Sequence, residues 1–176
     1  MNSVKAPAFS YRLLSLGLFF IWLLHAAYYS YKLRDFSYFR QRLGFSKNKI
    51  SQDSIWIHAS SVGEVELVKP LIHALSQSHS ILLTAFTPTG CQHAKRIMPN
   101  HIKVSALPID FWPFSHFFMQ KNQFKLGIVA ETELWPETLY ALARLNVPLL
   151  QVNARLSAKS LNNPSGLKKI LTLTLG

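Results

Sequence analysis

From residue 54 onward, short apolar runs and amphipathic stretches alternate along the chain. The runs at 55–59, 80–85, 102–107, 126–130 and 148–152 predict strands, and the stretches near 64–77, 88–98, 111–121 and 135–145 predict helices. Alternation at this spacing predicts βαβ units, a Rossmann-like parallel sheet with helices on both faces. Right-handed crossovers then gather the loops that follow the strands on one edge: 60–64, 84–90, 108–110 and 130–136. Local signals agree with these boundaries. Ser61-x-x-Glu64 fits a capping box, and Thr87-Pro88 fits an N-cap followed by proline at the first helical position.

The amino-terminal pattern is different. Residues 13–24, LLSLGLFFIWLL, carry no charge, and the apolar character continues through Tyr31. As a helix, residues 13–31 would extend about 28 Å, close to one hydrocarbon thickness. Trp22 and the tyrosines suit a headgroup belt. Lys5 and Arg12 precede the stretch; Lys32, Arg34, Arg40, Arg42, Lys47 and Lys49 follow it, opposed only by Asp35. A cleaved signal peptide, a buried core helix and a retained membrane anchor compete for this pattern. The absence of a tidy small-residue cleavage site and the basic flank favour the anchor, spanning or lying in the interface. If it spans, the basic load keeps the rest of the chain in the cytoplasm.

Composition narrows the partners. The 176 residues suffice for one domain with a real core plus an appendage. Nineteen Lys and Arg against eight Asp and Glu give a net charge of +11, an attraction to polyanions. The cations gather beside an apolar helix rather than interleaving with aromatics along a groove, which favours an anionic membrane surface over nucleic acid. Cys91 is the single cysteine, so no internal disulfide forms. No Cys or His cluster has zinc-site spacing, and neither a metal nor another cofactor is expected. Neither Gly-x-Gly-x-x-Gly nor a Walker-type loop is present.

Four places carry candidate chemistry. Glu64, on a loop at the strand ends, can accept a proton from a hydroxyl nucleophile, with Gly63 permitting close approach; the structural alternative is that it only completes the cap. Glu131 and Glu133, two apart, would share a face of an extended segment and bind a sugar hydroxyl, or simply be solvated. Thr84 with Thr87, Thr89 and Gly90 at a helix start can hold a phosphate or carboxylate, or serve as a cap. Arg155, just past a strand, can grip an anionic group with two prongs, or lie on the surface.

Ser61-Val62-Gly63-Glu64, Thr87-Pro88-Thr89-Gly90, Glu131-Thr132-Glu133-Leu134-Trp135-Pro136 and Asn153-Ala154-Arg155-Leu156-Ser157, in this order, resemble the 3-deoxy-D-manno-octulosonic acid (Kdo) transferases. His58-Ala59-Ser60 and Leu107-Pro108-Ile109-Asp110 match as well. The resemblance implies the amino-terminal lobe of a B-type glycosyltransferase, anchored to the cytoplasmic face of the inner membrane. It implies transfer of Kdo from CMP-Kdo to a hydroxyl of a lipid A precursor in lipopolysaccharide biosynthesis. It assigns Glu64 as catalytic base and Ser61, Gly63, Thr87, Thr89, Gly90, Glu131, Glu133 and Arg155 to substrate binding. The family usually carries Asn after Trp-Pro; here the residue is Glu137. The expected organisation is an anchor and basic juxtamembrane segment at 1–50, an acceptor-side α/β lobe at 51–160 and a truncated tail at 161–176. Family members are roughly twice as long, so CMP-Kdo binding is expected only with a complementary carboxy-terminal lobe. The alternative is a noncatalytic membrane-surface module that binds lipid or a partner.

Overall fold

The computed structural model describes residues 6–46, 50–51, 53–131, 133 and 135–154. Two helices come first, α1 (Phe9–Lys32) and α2 (Phe36–Arg42). An alternating series follows: β1 (Ile55–His58), α3 (Val62–Leu75), β2 (Ile81–Ala85), α4 (Pro88–Ile97), β3 (Lys103–Ala106), α5 (Trp112–Asn122), β4 (Leu126–Ala130), α6 (Pro136–Arg144) and β5 (Leu149–Val152). All five strands are parallel, in the order β3-β2-β1-β4-β5. The strand and helix positions agree with the hydrophobic pattern to within a residue or two, as expected of strongly periodic segments.

Both faces of the sheet are covered, because alternate residues of each strand meet different helices. Ile55, Ile57, Ile81, Leu83 and Ile128 pack with Val65, Val68 and Ile72 of α3 and Ala94 of α4. Trp56, Leu82 and Val129 pack on the other face with Phe118 and Met119 of α5 and Ala141 and Leu142 of α6. The strand order reverses between β1 and β4, each the neighbour of the other although β2 and β3 intervene in sequence. That reversal, at the carboxyl edge between the loops after β1 and β4, is the usual ligand position in such sheets.

The helix α1 does not project from the lobe. It is long and apolar enough to cross a bilayer by length and composition. Yet residues along its length touch the body. The Tyr11 hydroxyl donates to Asp110 Oδ2 at 2.6 Å, and Arg12 Nε donates to Glu137 Oε1 at 2.6 Å. Phe19 lies against Phe111, and Trp22 against Phe86, with ring centroids 5.2 and 5.5 Å apart. Ala26 and Ser30 are buried. Phe9, Leu13, Leu16, Phe20, Ile21 and Leu24 are left exposed.

The basic flank has structure of its own, and one of its residues corrects an expectation. Its residues 36–42 form a helix, α2, capped by Asp35, whose carboxylate accepts from Ser37 N at 2.9 Å. The run is too short and too polar for periodicity to reveal it. Arg42 does not face headgroups: it is 1% exposed and donates to the Leu107 carbonyl. Lys5, Lys47, Lys49 and the expected tail at 161–176 lie outside the described residues.

Candidate active site

Ser60 joins two carboxylates. It follows β1, where the chain leaves the sheet beside the reversal point. Its amide donates to Glu64 Oε2 at 2.8 Å, and its hydroxyl donates to Glu133 Oε2. Glu64 comes from the first turn of α3 and Glu133 from the loop after β4, so two crossovers of the fold converge on one serine.

The cap at α3 forms as the Ser61-x-x-Glu64 spacing predicts. Glu64 N donates to Ser61 Oγ at 3.4 Å, and the Ser61 hydroxyl donates to Glu64 Oε1 at 2.8 Å. Glu64 is 8% exposed. Both of its oxygens are therefore occupied, and a favourable helix dipole adds to them. Gly63, one residue earlier, is exposed, and a Cβ built on it meets nothing within 4 Å. Space beside the Glu64 backbone is open.

Glu133 is held more elaborately. Trp135 Nε1 donates to its Oε2 at 3.0 Å, and His58 Nε2 lies 3.2 Å from the same oxygen and 3.0 Å from Ser60 Oγ. His58 Nδ1 lies 2.9 Å from Thr84 Oγ1, to which Trp56 Nε1 donates at 2.8 Å. The donor inventory sets the imidazole. An indole can only donate and an ionised carboxylate can only accept. His58 Nε2 therefore donates to Glu133, while the Thr84 hydroxyl lies within reach of both His58 Nδ1 and, at 3.4 Å, the Ile57 carbonyl. Burial pushes the Glu133 pKa upward, but the donors from His58, Ser60 and Trp135 outweigh it and hold the carboxyl below its ordinary value.

The Thr87 motif supports this corner rather than standing apart. Thr87 Oγ1 donates to the Ser60 carbonyl at 2.9 Å and accepts from Gly90 N at 3.1 Å. A Cβ on Gly90 would stand 2.8 Å from Thr87 Oγ1 and 3.0 Å from Ser60 O. Only glycine lets the start of α4 press this closely on the turn after β1. Thr89, beside it, is exposed.

Glu131 does not share a face with Glu133 as an extended segment would require. Its φ is +57°, and its amide donates to Val152 O at 2.8 Å. The left-handed residue turns the chain between the two glutamates, and only Glu133 joins the Ser60 cluster. Arg155 lies outside the described residues. The sequence alone does not join His58, Thr84 and Trp56 into a set. Their signal is register: His58 pairs with Thr84 across β1 and β2, and Trp56 lies two residues before His58 on the same face.

A second buried acidic group lies nearby. Asp110 accepts from Tyr11, from Glu137 N and Thr138 N at 3.0 and 2.8 Å, and from the Thr138 hydroxyl at 2.8 Å. Glu137, the departure noted after Trp-Pro, is fully buried and takes both Arg12 Nε and, at 3.2 Å, Arg12 Nη2. Among the described residues no three His, Cys, Asp or Glu side chains converge to hold a metal. An open groove of about 670 Å³ lies elsewhere, at the corner of α1 and α2, lined by Lys32, Arg34 and aromatic rings. It is remote from the carboxylates and has the character of a basic surface groove.

The fold and this corner define an α/β lobe with two carboxylates gathered at its switch point. Residues 37–176 match the family model described as 3-deoxy-D-manno-octulosonic-acid transferase, and the chain belongs to that family. It is 44% identical over 132 residues to the 3-deoxy-D-manno-octulosonic acid transferase of Haemophilus influenzae, covering 69% of this chain and 31% of the relative. The Bordetella pertussis transferase of the same name is 32% identical over 123 residues, 66% of this chain and 29% of the relative. A bifunctional glycosyltransferase/methyltransferase of Fusobacterium nucleatum is 33% identical over 153 residues, 84% of this chain and 24% of the relative. The chain thus spans about a quarter to a third of the length of these curated relatives.

Proposed function

We propose that this chain is the acceptor-side lobe of a glycosyltransferase that moves Kdo from CMP-Kdo to a hydroxyl of a lipid A precursor. In this reading residues 51–160 form the lobe, and CMP-Kdo is held by a second, complementary lobe. Residues 1–50 lie on an anionic membrane surface, the cytoplasmic face of the inner membrane. The observation that carries the reading is the meeting of Glu64 and Glu133 on Ser60 at the reversal point of the sheet.

Glu64 is the general base. The acceptor hydroxyl replaces the Ser61 hydroxyl as the donor to Oε1, so one O–H donor is exchanged for another and the cap to Ser60 N persists. As the acceptor oxygen attacks the anomeric carbon, its proton passes to Glu64. The bond from that carbon to the CMP phosphate oxygen breaks, CMP leaves as a phosphate monoester, and the configuration inverts. Glu133 stays ionised; with its Oε2 taken by three donors, its Oε1 accepts a hydrogen bond from a second acceptor hydroxyl. Ser61, Gly63, Thr87, Thr89 and Gly90 shape the acceptor side, and Glu131 and Arg155 are assigned to its rim.

The test is transfer measured with CMP-Kdo and lipid A precursor, with and without a supplied donor-binding lobe. Glu64→Gln is expected to abolish transfer while leaving the circular dichroism spectrum unchanged. Turnover at the wild-type rate in that variant would sink the assignment. Binding of the glycolipid with no transfer under any pairing would favour the noncatalytic module instead.

A further inference from the structure

Arg42 is a buried cation with no carboxylate beside it. Its side chain is 1% exposed, and among the described residues no ion pair includes it. Nη1 donates to the Leu107 carbonyl at 2.5 Å, the guanidinium carbon lies 4.5 Å from the centre of the Phe86 ring, and Nε has no partner. One carbonyl and one ring face compensate a guanidinium only in part, since a buried unpaired ion costs several kcal/mol. Two more partnerless polar atoms feel the same charge: the Tyr38 hydroxyl and His25 Nδ1. Buried polar atoms are normally satisfied, so three orphans around one cation are an unexplained feature of the packing.

Arg42 also lines a cavity. The space, about 170 Å³, lies under α1 at the carboxyl edge. Trp22, Phe86 and Trp135 form apolar walls, and Tyr11 and Asp110 contribute polar ones. Asp110 accepts from Tyr11, Thr138, Ser115 and the Glu137 amide, and among the described residues no ion pair joins it to Arg42. A buried cation bordering an aromatic-walled space offers what a tetrahedral oxyanion needs: charge and fixed N–H donors.

We infer that this cavity is a phosphate-binding site in which Arg42 is the anchor. A lipid-borne phosphate is its natural occupant, because α1, which roofs the cavity, turns its other face outward with Phe20, Ile21 and Leu24 exposed. The site itself stands independently of the transferase reading; the lipid source of the phosphate rests on the membrane placement in that reading.

The experiment uses the full chain in a non-ionic, phosphate-free detergent. The Arg42 Nε–H resonance, assigned by its loss in Arg42→Lys, is followed while inorganic phosphate is added against matched chloride. In separate samples the micelles are doped with phosphatidic acid or with diacylglycerol. A saturable shift with phosphate, and a shift at lower concentration with phosphatidic acid but not diacylglycerol, is the expected result. A shift with inorganic phosphate alone retains the site and overturns the lipid source. No shift with either, or an equal shift with chloride, overturns the site. Should Arg42→Lys fail to fold, resonance assignment in the wild-type chain and its melting temperature in phosphate against chloride carry the same decision. Loss of transferase activity would leave these titrations unchanged, so the two readings fail separately.

Discussion

Ser60 ties three parts of the fold together: its amide bonds Glu64, its hydroxyl bonds Glu133, and its carbonyl accepts from both the amide and the hydroxyl of Thr87. A residue so placed depends on its neighbours' dimensions. Gly90→Ala should lower stability by about 1–3 kcal/mol, read as a fall in melting temperature, because the added methyl meets backbone at Ser60 as well as Thr87 Oγ1. An unchanged melting temperature would mean the turn yields freely. Cys91 gives an independent check of packing. Burial pushes its thiol up to about 11, and its Sγ lies 3.3 Å from the Ala85 carbonyl. It should resist a thiol reagent at pH 8 until the chain is unfolded. Glu133 and Asp35 both have folded pKa values below the ordinary one, burial opposing and hydrogen bonds prevailing in each. Their contribution is present above the ordinary carboxylate pKa of about 4 and is lost as pH falls through the lower folded values. The melting temperature should drop in that acid range, and Glu133→Gln should flatten the drop.

The helix α1 is fastened to the lobe at its start by two buried acids. Arg12 is partly exposed while Glu137 is wholly buried, so the two ends of the pair are not equivalent. Arg12→Met leaves the buried Glu137 carboxylate with His116 Nε2, 3.7 Å away, as its remaining ion-pair neighbour among the described residues, and should destabilise more than Glu137→Gln, which removes the charge that needs a partner. A double-mutant cycle read by thermal melting checks this; equal single losses would count against the asymmetry. The elements themselves were largely foreseeable, because five apolar runs between amphipathic stretches admit few other arrangements. The Ser61–Glu64 cap was foreseeable too, being local. What escaped depended on tertiary placement. Arg42 looks like any residue of a basic flank until α1 and α2 close over it, and a lone positive φ at Glu131 is invisible to a period-two argument. Glu137 stood out only as an odd residue after Trp-Pro; its partner lies 125 positions earlier in the chain.

For the molecule as a whole, charge and shape point the same way. The net charge of +11 accompanies a helix whose outer face is apolar and whose inner face is docked on the lobe. Such a helix suits the plane of an interface, with exposed Lys32, Arg34 and Arg40 at headgroup level. Flotation with vesicles containing anionic lipid should capture the chain. Phe20→Glu with Ile21→Glu should weaken capture many-fold without altering the lobe's melting temperature, since both side chains point away from the body. Capture unchanged by that pair would remove the helix from the contact.

Because α1 carries the apolar outer face and also roofs the Arg42 cavity, the solvent around that helix becomes a variable of the chemistry beneath it. A detergent that loosens α1 from Asp110 and Glu137 would unroof the cavity while the sheet stays intact. Preparations in different amphiphiles should then bind anions differently at identical circular dichroism, and a harsh extraction would yield a well-folded protein that no longer holds the anion.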